Sequence, residues 1–308
     1  MVESRATAVK LAAVPSRPYL KPRKAAIYPA AMRESDYLPL VTLALREDLG
    51  DLGDITSQAI VPEGSGSAAL WSKDTGVLAG EEVFRAVFSA VDPGVDVEFL
   101  LHDGAVLGNG DRVAFVKGRV QSLLSGERTA LNFLSFLSGI ATATRELVTL
   151  AAAHGRAAIL DTRKTLPGWR ALSKYAVTVG GGKNHRQGLY DMVLIKDNHV
   201  DSAGSLAEAV KRARERWGKR FPIEVECRTA AEVAEALAAG VELIMLDNMD
   251  PRVMREEVAR VGGRAKVEAS GNMSRERIPA VSAAGVDFIS VGALTHSVRS
   301  FDFSLKMG

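Results

Sequence analysis

D-T-R-K-T-L-P-G-W-R-A-L-S-K-Y-A-V-T-V-G-G-G-K-N-H-R-Q-G-L-Y-D-M-V-L-I-K-D-N-H, residues 161–199, is the stretch on which the reading of this chain turns. It holds seven cations (Arg163, Lys164, Arg170, Lys174, Lys183, Arg186 and Lys196) against three aspartates, with His185 and His199 in addition. The charges are interleaved with a Pro167-Gly168 turn, a helix-like apolar repeat (Trp169, Leu172, Ala176, Val177), a glycine triplet and a strand-like run from Met192 to Ile195. Cations on separate elements converge only when the chain folds back on itself. Convergent Arg and Lys are what a small polyanion bearing carboxylates or phosphates requires.

Outward from this stretch a regular alternation sets the fold class. Short apolar runs lead to Asp161, Lys196, Glu226, Asp247, Ser270 and Gly292, and amphipathic helical segments such as 206–217 and 230–239 lie between them. Apolar strands separated by helices predict a parallel sheet covered by helices. Six strands that each end in a functional-looking residue fit a β/α barrel, whose C-terminal strand ends surround one site. No G-x-G-x-x-G follows the first strand, which counts against a dinucleotide-binding fold.

The preceding segment has a different texture. Asp36 is a plausible N-cap for a helix ending at Gly50, and strands are expected at 68–71, 77–79, 95–101 and 113–120, with a helix over 80–91. Beyond Leu123 the pattern is helical, with a second helix expected over 141–153. His102 reads as a turn residue and His154 as a cation at a helix C-terminus. Residues 1–33 carry seven Lys or Arg against Glu3 alone, with Pro15, Pro18, Pro22 and Pro29, and read as a mobile extension rather than a transit helix.

Net charge is +2, so nothing global points to nucleic acid or an anionic membrane. No apolar run approaches the ~20 residues of a membrane span. The single Cys227 excludes an internal disulfide, and a soluble, cytoplasmic protein is expected.

Several blocks together resemble the quinolinate phosphoribosyltransferases, also called carboxylating nicotinate-nucleotide pyrophosphorylases. They are D-T-R-K-T-x-P-G, K-Y-A-V, G-G-G-x-N-H-R and I-K-D-N-H, in that order. G-E-R-T-A-L-N and S-G-I-A-T precede them, and E-V-E-C, L-D-N, E-A-S-G-N and V-G-A-L-T-H-S follow. The resemblance implies an incomplete parallel β/α barrel of about seven strands over residues 139–296. It also implies an N-terminal α/β sandwich domain over 36–138, to which 297–308 return; the basic, proline-containing extension, taken as 1–35, is read from composition and is not needed by the family pattern. Six barrel strands are readable and the seventh has no evident place.

The strand ends form a ring with three regions. Arg163, Lys164, His185, Arg186 and Lys196 make a cationic pocket, and Glu226 and Asp247 supply carboxylates for Mg²⁺ (directly or indirectly) or ribose hydroxyls. The third region comprises Ser270, Gly271 and Asn272 with Val291, Gly292 and Ala293, glycine-containing loops feeding helix N-termini where a phosphate would sit. The resemblance implies quinolinate and phosphoribosyl pyrophosphate as substrates and nicotinate mononucleotide, pyrophosphate and CO₂ as products. It assigns Lys164, Lys196, Glu226 and Asp247 to catalysis, and Arg128, Thr162, Arg163, His185, Arg186 and Lys196 to substrate binding. Arg128 would reach a neighbouring subunit's site in a homo-oligomer, with no nucleic acid or membrane partner. A non-decarboxylating transferase acting on nicotinate or a related acid is the nearest alternative. A Schiff-base role for Lys196, or a non-catalytic binder acting through the basic tail, is more distant. His199 reads as a cap, Asp191 and Asp197 as counter-charges, His296 as structural and Cys227 as packing.

Overall fold

In the computed structural model, residues 32–308 are described; the expected basic extension lies outside them as far as residue 31. The chain opens with helices α1 (Glu34–Leu49) and α2 (Ile55–Ile60), then strands β1 (Ser65–Ser72) and β2 (Gly76–Val77). Helix α3 (Glu81–Val91), strands β3 (Asp96–Phe99), β4 (Val106–Leu107) and β5 (Arg112–Arg119), and helix α4 (Val120–Ala152) follow. The alternating part comprises β6 (Ala158–Leu160), α5 (Arg170–Val179), β7 (Val193–Ile195), α6 (Asp197–Ala203), α7 (Leu206–Trp217) and β8 (Ile223–Cys227). It continues through α8 (Ala230–Ala238), β9 (Leu243–Asp247), α9 (Pro251–Val261), β10 (Lys266–Ser270), α10 (Ile278–Ala283), β11 (Phe288–Ser290) and α11 (Ala293–His296). Strand β12 (Phe303–Met307) closes the fold.

An antiparallel sheet is ordered β12-β1-β5-β3, so the last strand pairs with the first. A parallel sheet is ordered β6-β11-β10-β9-β8-β7. Its outward positions, such as Val225, Ile244, Leu246, Val267 and Ala269, are buried beneath the helices, which is what an apolar strand gains from cover on that face. Among the described residues the sheet has six strands, and its two end strands, β6 and β7, are not paired with each other. The seventh place is taken by a one-residue bridge: Lys183 donates its N–H to Ile159 O at 2.8 Å and accepts from Asp161 N at 3.2 Å. The G-G-G-K segment has no apolar run, so this place was not readable as a strand.

Three sequence expectations need correction. Helix α1 is capped by Arg33, and Asp36 instead sits at the third helical position, where it accepts from Arg33 N at 3.1 Å and from its guanidinium at 2.8 Å. The two helices expected after Leu123 are one continuous helix of 33 residues, about 50 Å long at 1.5 Å per residue. The Ser138-Gly139 pair does not end it because Leu137 through Ala141 are all buried, and tertiary packing outweighs a weak local propensity. The Ser270-Gly271-Asn272 loop does not feed a helix directly, because α10 begins only at Ile278.

Candidate active site

Side chains alternate along each strand, so every second residue of the parallel sheet points inward, towards the barrel axis. At the C-terminal ends this places Glu226, Asp247 and Ser270 around a cavity of about 520 Å³. Thr162, Arg163 and Lys164 line it from the loop after β6, His185 and Arg186 from the loop before β7, and Lys196 from the start of α6.

The cationic side depends on a buried ion pair. Lys174, on α5, contacts Asp161 at the end of β6 and donates to His185 O at 2.9 Å. Asp161 also accepts from His185 N at 2.9 Å, and the Asn184 amide, turned so that its nitrogen faces inward, donates to Lys174 O at 3.0 Å. Burial pushes the Asp161 carboxyl up to about 6 and the Lys174 ammonium down from their ordinary values, each opposed by the partner's charge. Lys174 is therefore structural: it anchors the backbone of the segment that carries His185 and Arg186. Arg186 is lowered first by burial and then by the neighbouring Arg163. Arg163 Nε is buried without a hydrogen-bond partner. Two guanidiniums held close together, one with an unsatisfied donor, make a seat for an anion.

His185 lines the cavity, but not as the expected cation. Its Nδ1 accepts from Arg186 N at 2.6 Å, so Nε2 carries the ring proton and faces Glu224 Oε2 at 3.0 Å and Glu268 Oε2 at 3.6 Å. Burial lowers its pKa, in keeping with a neutral ring.

On the opposite side Lys196 Nζ is hydrogen-bonded to Glu226 Oε2 between adjacent strand ends. Asp247 Oδ2 accepts from Asn248 Nδ2 at 2.9 Å, and Asn248 Oδ1 accepts from Asn272 Nδ2 at 3.1 Å. Gly271, at φ +93°, allows this: a Cβ there would lie 2.3 Å from Asn248 Oδ1. The turn after β11 closes the ring, since a Cβ on Gly292 would stand 3.1 Å from Lys164 Cδ and Thr295 Oγ1 donates to Lys164 O at 2.7 Å.

Below the mouth, one inward position deeper, barrels usually carry branched apolar residues. Leu194 and Met245 do so here, but Glu224, Glu268 and Ser290 share the layer and all three are buried. Ser290 Oγ donates to Glu268 Oε1 at 2.6 Å. Both oxygens of Glu224 and Oε2 of Glu268 lack a hydrogen-bond partner. Burial pushes Glu224 up to about 7, and burial together with the Glu224 charge pushes Glu268 up to about 8.

The family models described as quinolinate phosphoribosyl transferase N-terminal and C-terminal domains match residues 54–138 and 140–306. The chain belongs to the quinolinate phosphoribosyltransferase family. It is 46% identical over 263 residues to a probable carboxylating nicotinate-nucleotide pyrophosphorylase of Bacillus subtilis, covering 85% of this chain and 90% of that relative. A mitochondrial decarboxylating quinolinate phosphoribosyltransferase of Nicotiana tabacum is 41% identical over 300 residues, covering 91% and 85%. The nicotinate-nucleotide pyrophosphorylase structure from Francisella tularensis superposes with a TM-score of 0.88 at 37% identity, covering 92% of this chain and all of that one.

Within this member of the family, the expected residues that line the cavity are Thr162 to Lys164, His185, Arg186, Lys196, Glu226, Asp247 and Ser270 to Asn272. Val291 and Ala293 face a separate cavity of about 410 Å³, and the Val291 N–H is bonded to Leu160 O at 2.9 Å rather than offered to an anion. Arg128 is exposed on α4 and is not among the residues lining its own chain's cavity. Asn248, Glu268 and Ser290 also line the cavity and were missed, as was Glu224 below it. The available signal was an acidic residue two positions before the strand-end residue, in E-V-E and E-A-S.

Proposed function

We propose that this chain transfers the phosphoribosyl group of phosphoribosyl pyrophosphate to the ring nitrogen of quinolinate, with loss of pyrophosphate and CO₂, giving nicotinate mononucleotide for NAD synthesis. The observation that carries this reading is the division of one cavity into a guanidinium pair, Arg163 and Arg186, and an acid-and-lysine side, Glu226, Asp247 and Lys196. A planar dicarboxylate suits the first and a phosphorylated sugar the second.

Arg163 and Arg186 pair with the substrate carboxylates through their planar forks. The bond from the sugar C1 to pyrophosphate breaks with positive charge growing on the ribose ring and negative charge on the leaving group. Lys164 and Lys196 stand where they offset the leaving charge, while Glu226 and Asp247 hold ribose hydroxyls and offset the positive centre. The ring nitrogen is already a nucleophile and needs no general base.

Mg²⁺ fits the same side, since Asp247 and Glu226 offer the oxygen donors it takes alongside substrate phosphates. When bound, it would neutralise charge on the pyrophosphate. Glu226 is already held by Lys196, which makes Asp247 the freer donor. Arg128 is read as completing the site of a second subunit, because its exposed place on α4 leaves it outside its own cavity. The buried free thiol of Cys227 suits a reducing compartment such as the cytoplasm. Among the described residues no helix is long and apolar enough to cross a membrane.

The deciding experiment incubates the purified protein with quinolinate, phosphoribosyl pyrophosphate and Mg²⁺, and follows mononucleotide, pyrophosphate and CO₂. Equal yields of the three are expected. Turnover of nicotinate without CO₂ release would replace this reading with the non-decarboxylating one.

A further inference from the structure

The buried carboxyl pair beneath the cavity has no part in the chemistry derived so far. Glu224 and Glu268 occupy barrel positions where apolar side chains would cost less, and neither is exposed. One ligand atom from each, and one from His185, lie within 4.8 Å of one another. Three of the four carboxyl oxygens form no hydrogen bond, although the His185 Nε2–H stands 3.0 Å from Glu224 Oε2. Two carboxylates so placed are strongly disfavoured as a doubly charged pair, and a shared proton relieves them while supplying a missing donor. A metal ion in its stead does not fit, because the His185 nitrogen facing the pair carries a proton fixed there by the Arg186 N–H on the other side of the ring. Of the two acids, Glu268 is the one that lines the cavity, together with Ser290, whose hydroxyl it holds.

The proposed reaction has a matching need. When the carbon–carboxylate bond breaks, CO₂ departs and its electron pair stays on the ring carbon, which must gain a proton before product forms. We propose that Glu268, resting on that functional reading, is the acid that delivers this proton to the ring carbon. The Glu268 O–H bond breaks as the carbon–hydrogen bond forms, directly or with the Ser290 hydroxyl passing the proton on. Glu268 is left as a carboxylate beside Glu224, an unfavourable pair that regains a proton from solvent once product leaves. One proton is consumed per turnover, which balances loss of a carboxylate as CO₂. Burial suits this task, because a dry acid keeps its proton until a stronger base, the carbanion, is present.

The test separates transfer from decarboxylation. In a single turnover with labelled quinolinate, phosphoribosyl pyrophosphate and Mg²⁺, Glu268→Gln keeps shape and hydrogen bonding but has no acidic proton. Pyrophosphate release should stay within about threefold of wild type, while nicotinate mononucleotide formation slows about 10²-fold or more, the range for losing a general acid. The undecarboxylated mononucleotide should then accumulate. Equal slowing of both steps, or of neither, overturns the assignment. If Glu268→Gln does not fold, Glu268→Asp, which retains an acid but withdraws it, should slow the second step more than the first; equal rates there also overturn it. Wild-type protein that releases no pyrophosphate would overturn the functional reading itself, a different failure from a variant in which the two steps stay coupled.

Discussion

Lys174 reaches from the second turn of α5 to the carboxylate of Asp161 at the end of β6, and neither side chain is more than 2% exposed. The pair ties a helix to a strand end and holds the His185 backbone from both sides. Lys174→Ala would leave a buried carboxylate without its cation. Loss of one partner from such a pair costs about 3–5 kcal/mol. Urea unfolding should report a drop of that order, together with weaker quinolinate binding. A change below about 1 kcal/mol would show that the segment is held by its other contacts.

Glu226 and Asp247 lie on adjacent strands, facing the acid-and-lysine side of the cavity. Glu226→Gln and Asp247→Asn are each expected to weaken binding of Mg²⁺-loaded phosphoribosyl pyrophosphate about 10–100-fold, the range for groups supporting a metal site. Quinolinate binding should change far less. Calorimetric titration with each ligand separately checks this, and a loss confined to quinolinate would reverse the division of the cavity.

Arg128 and Lys164 are expected to serve the same site from different chains. Homodimers of Arg128→Ala and of Lys164→Ala should each be nearly inactive. In a mixed dimer one site carries both lesions and the other neither. Random exchange should restore roughly a quarter of wild-type activity if sites act independently. No recovery under conditions shown to exchange subunits would mean that Arg128 acts within its own chain.

Stability should depend on pH through Glu268, whose carboxyl rises from 4.5 to about 8 on folding, through burial and the nearby Glu224. A group with a raised folded pKa binds its proton more tightly in the native state, so its contribution is full below about pH 4.5. That contribution is lost as pH climbs towards 8. The melting temperature of wild type relative to Glu268→Gln should therefore fall between pH 5 and pH 8. A difference that is flat across this range would show that Glu268 is not protonated in the folded protein.

The strand ends were legible because the sequence writes them twice, as apolar runs and as the polar residues that stop them. Lys196, Glu226, Asp247 and Ser270 each mark where an inward position meets the mouth. Glu224 and Glu268 were not legible as buried, since an acidic residue within a strand reads equally as a solvated edge. Burial depends on which strands flank it, a non-local fact. His185 was read as a cation from its neighbours' charges; its tautomer is set by one backbone N–H, which no composition reveals. Lys174 was counted among the converging cations because it shares a stretch with Arg163 and Arg186. Its place on the helix face that also buries Leu172, Ala176 and Val177 was the overlooked sign that it points inward. The bridge at Lys183 adds to the β6 edge through two backbone hydrogen bonds alone, and backbone pairing of a glycine segment leaves no side-chain pattern.

The pairing of β12 with β1 sets an order of events during synthesis. Residues 68–72 leave the ribosome early, yet their partners at 303–307 are among the last of this sequence to be made. At about 5–20 residues per second, that side of β1 stays open for roughly 10–50 s while the whole barrel is translated. An unpaired strand edge is a template for pairing with other chains. A nascent chain stalled in the barrel thus carries an open edge, and sealing it falls to β12, far in sequence from the strand with which it pairs.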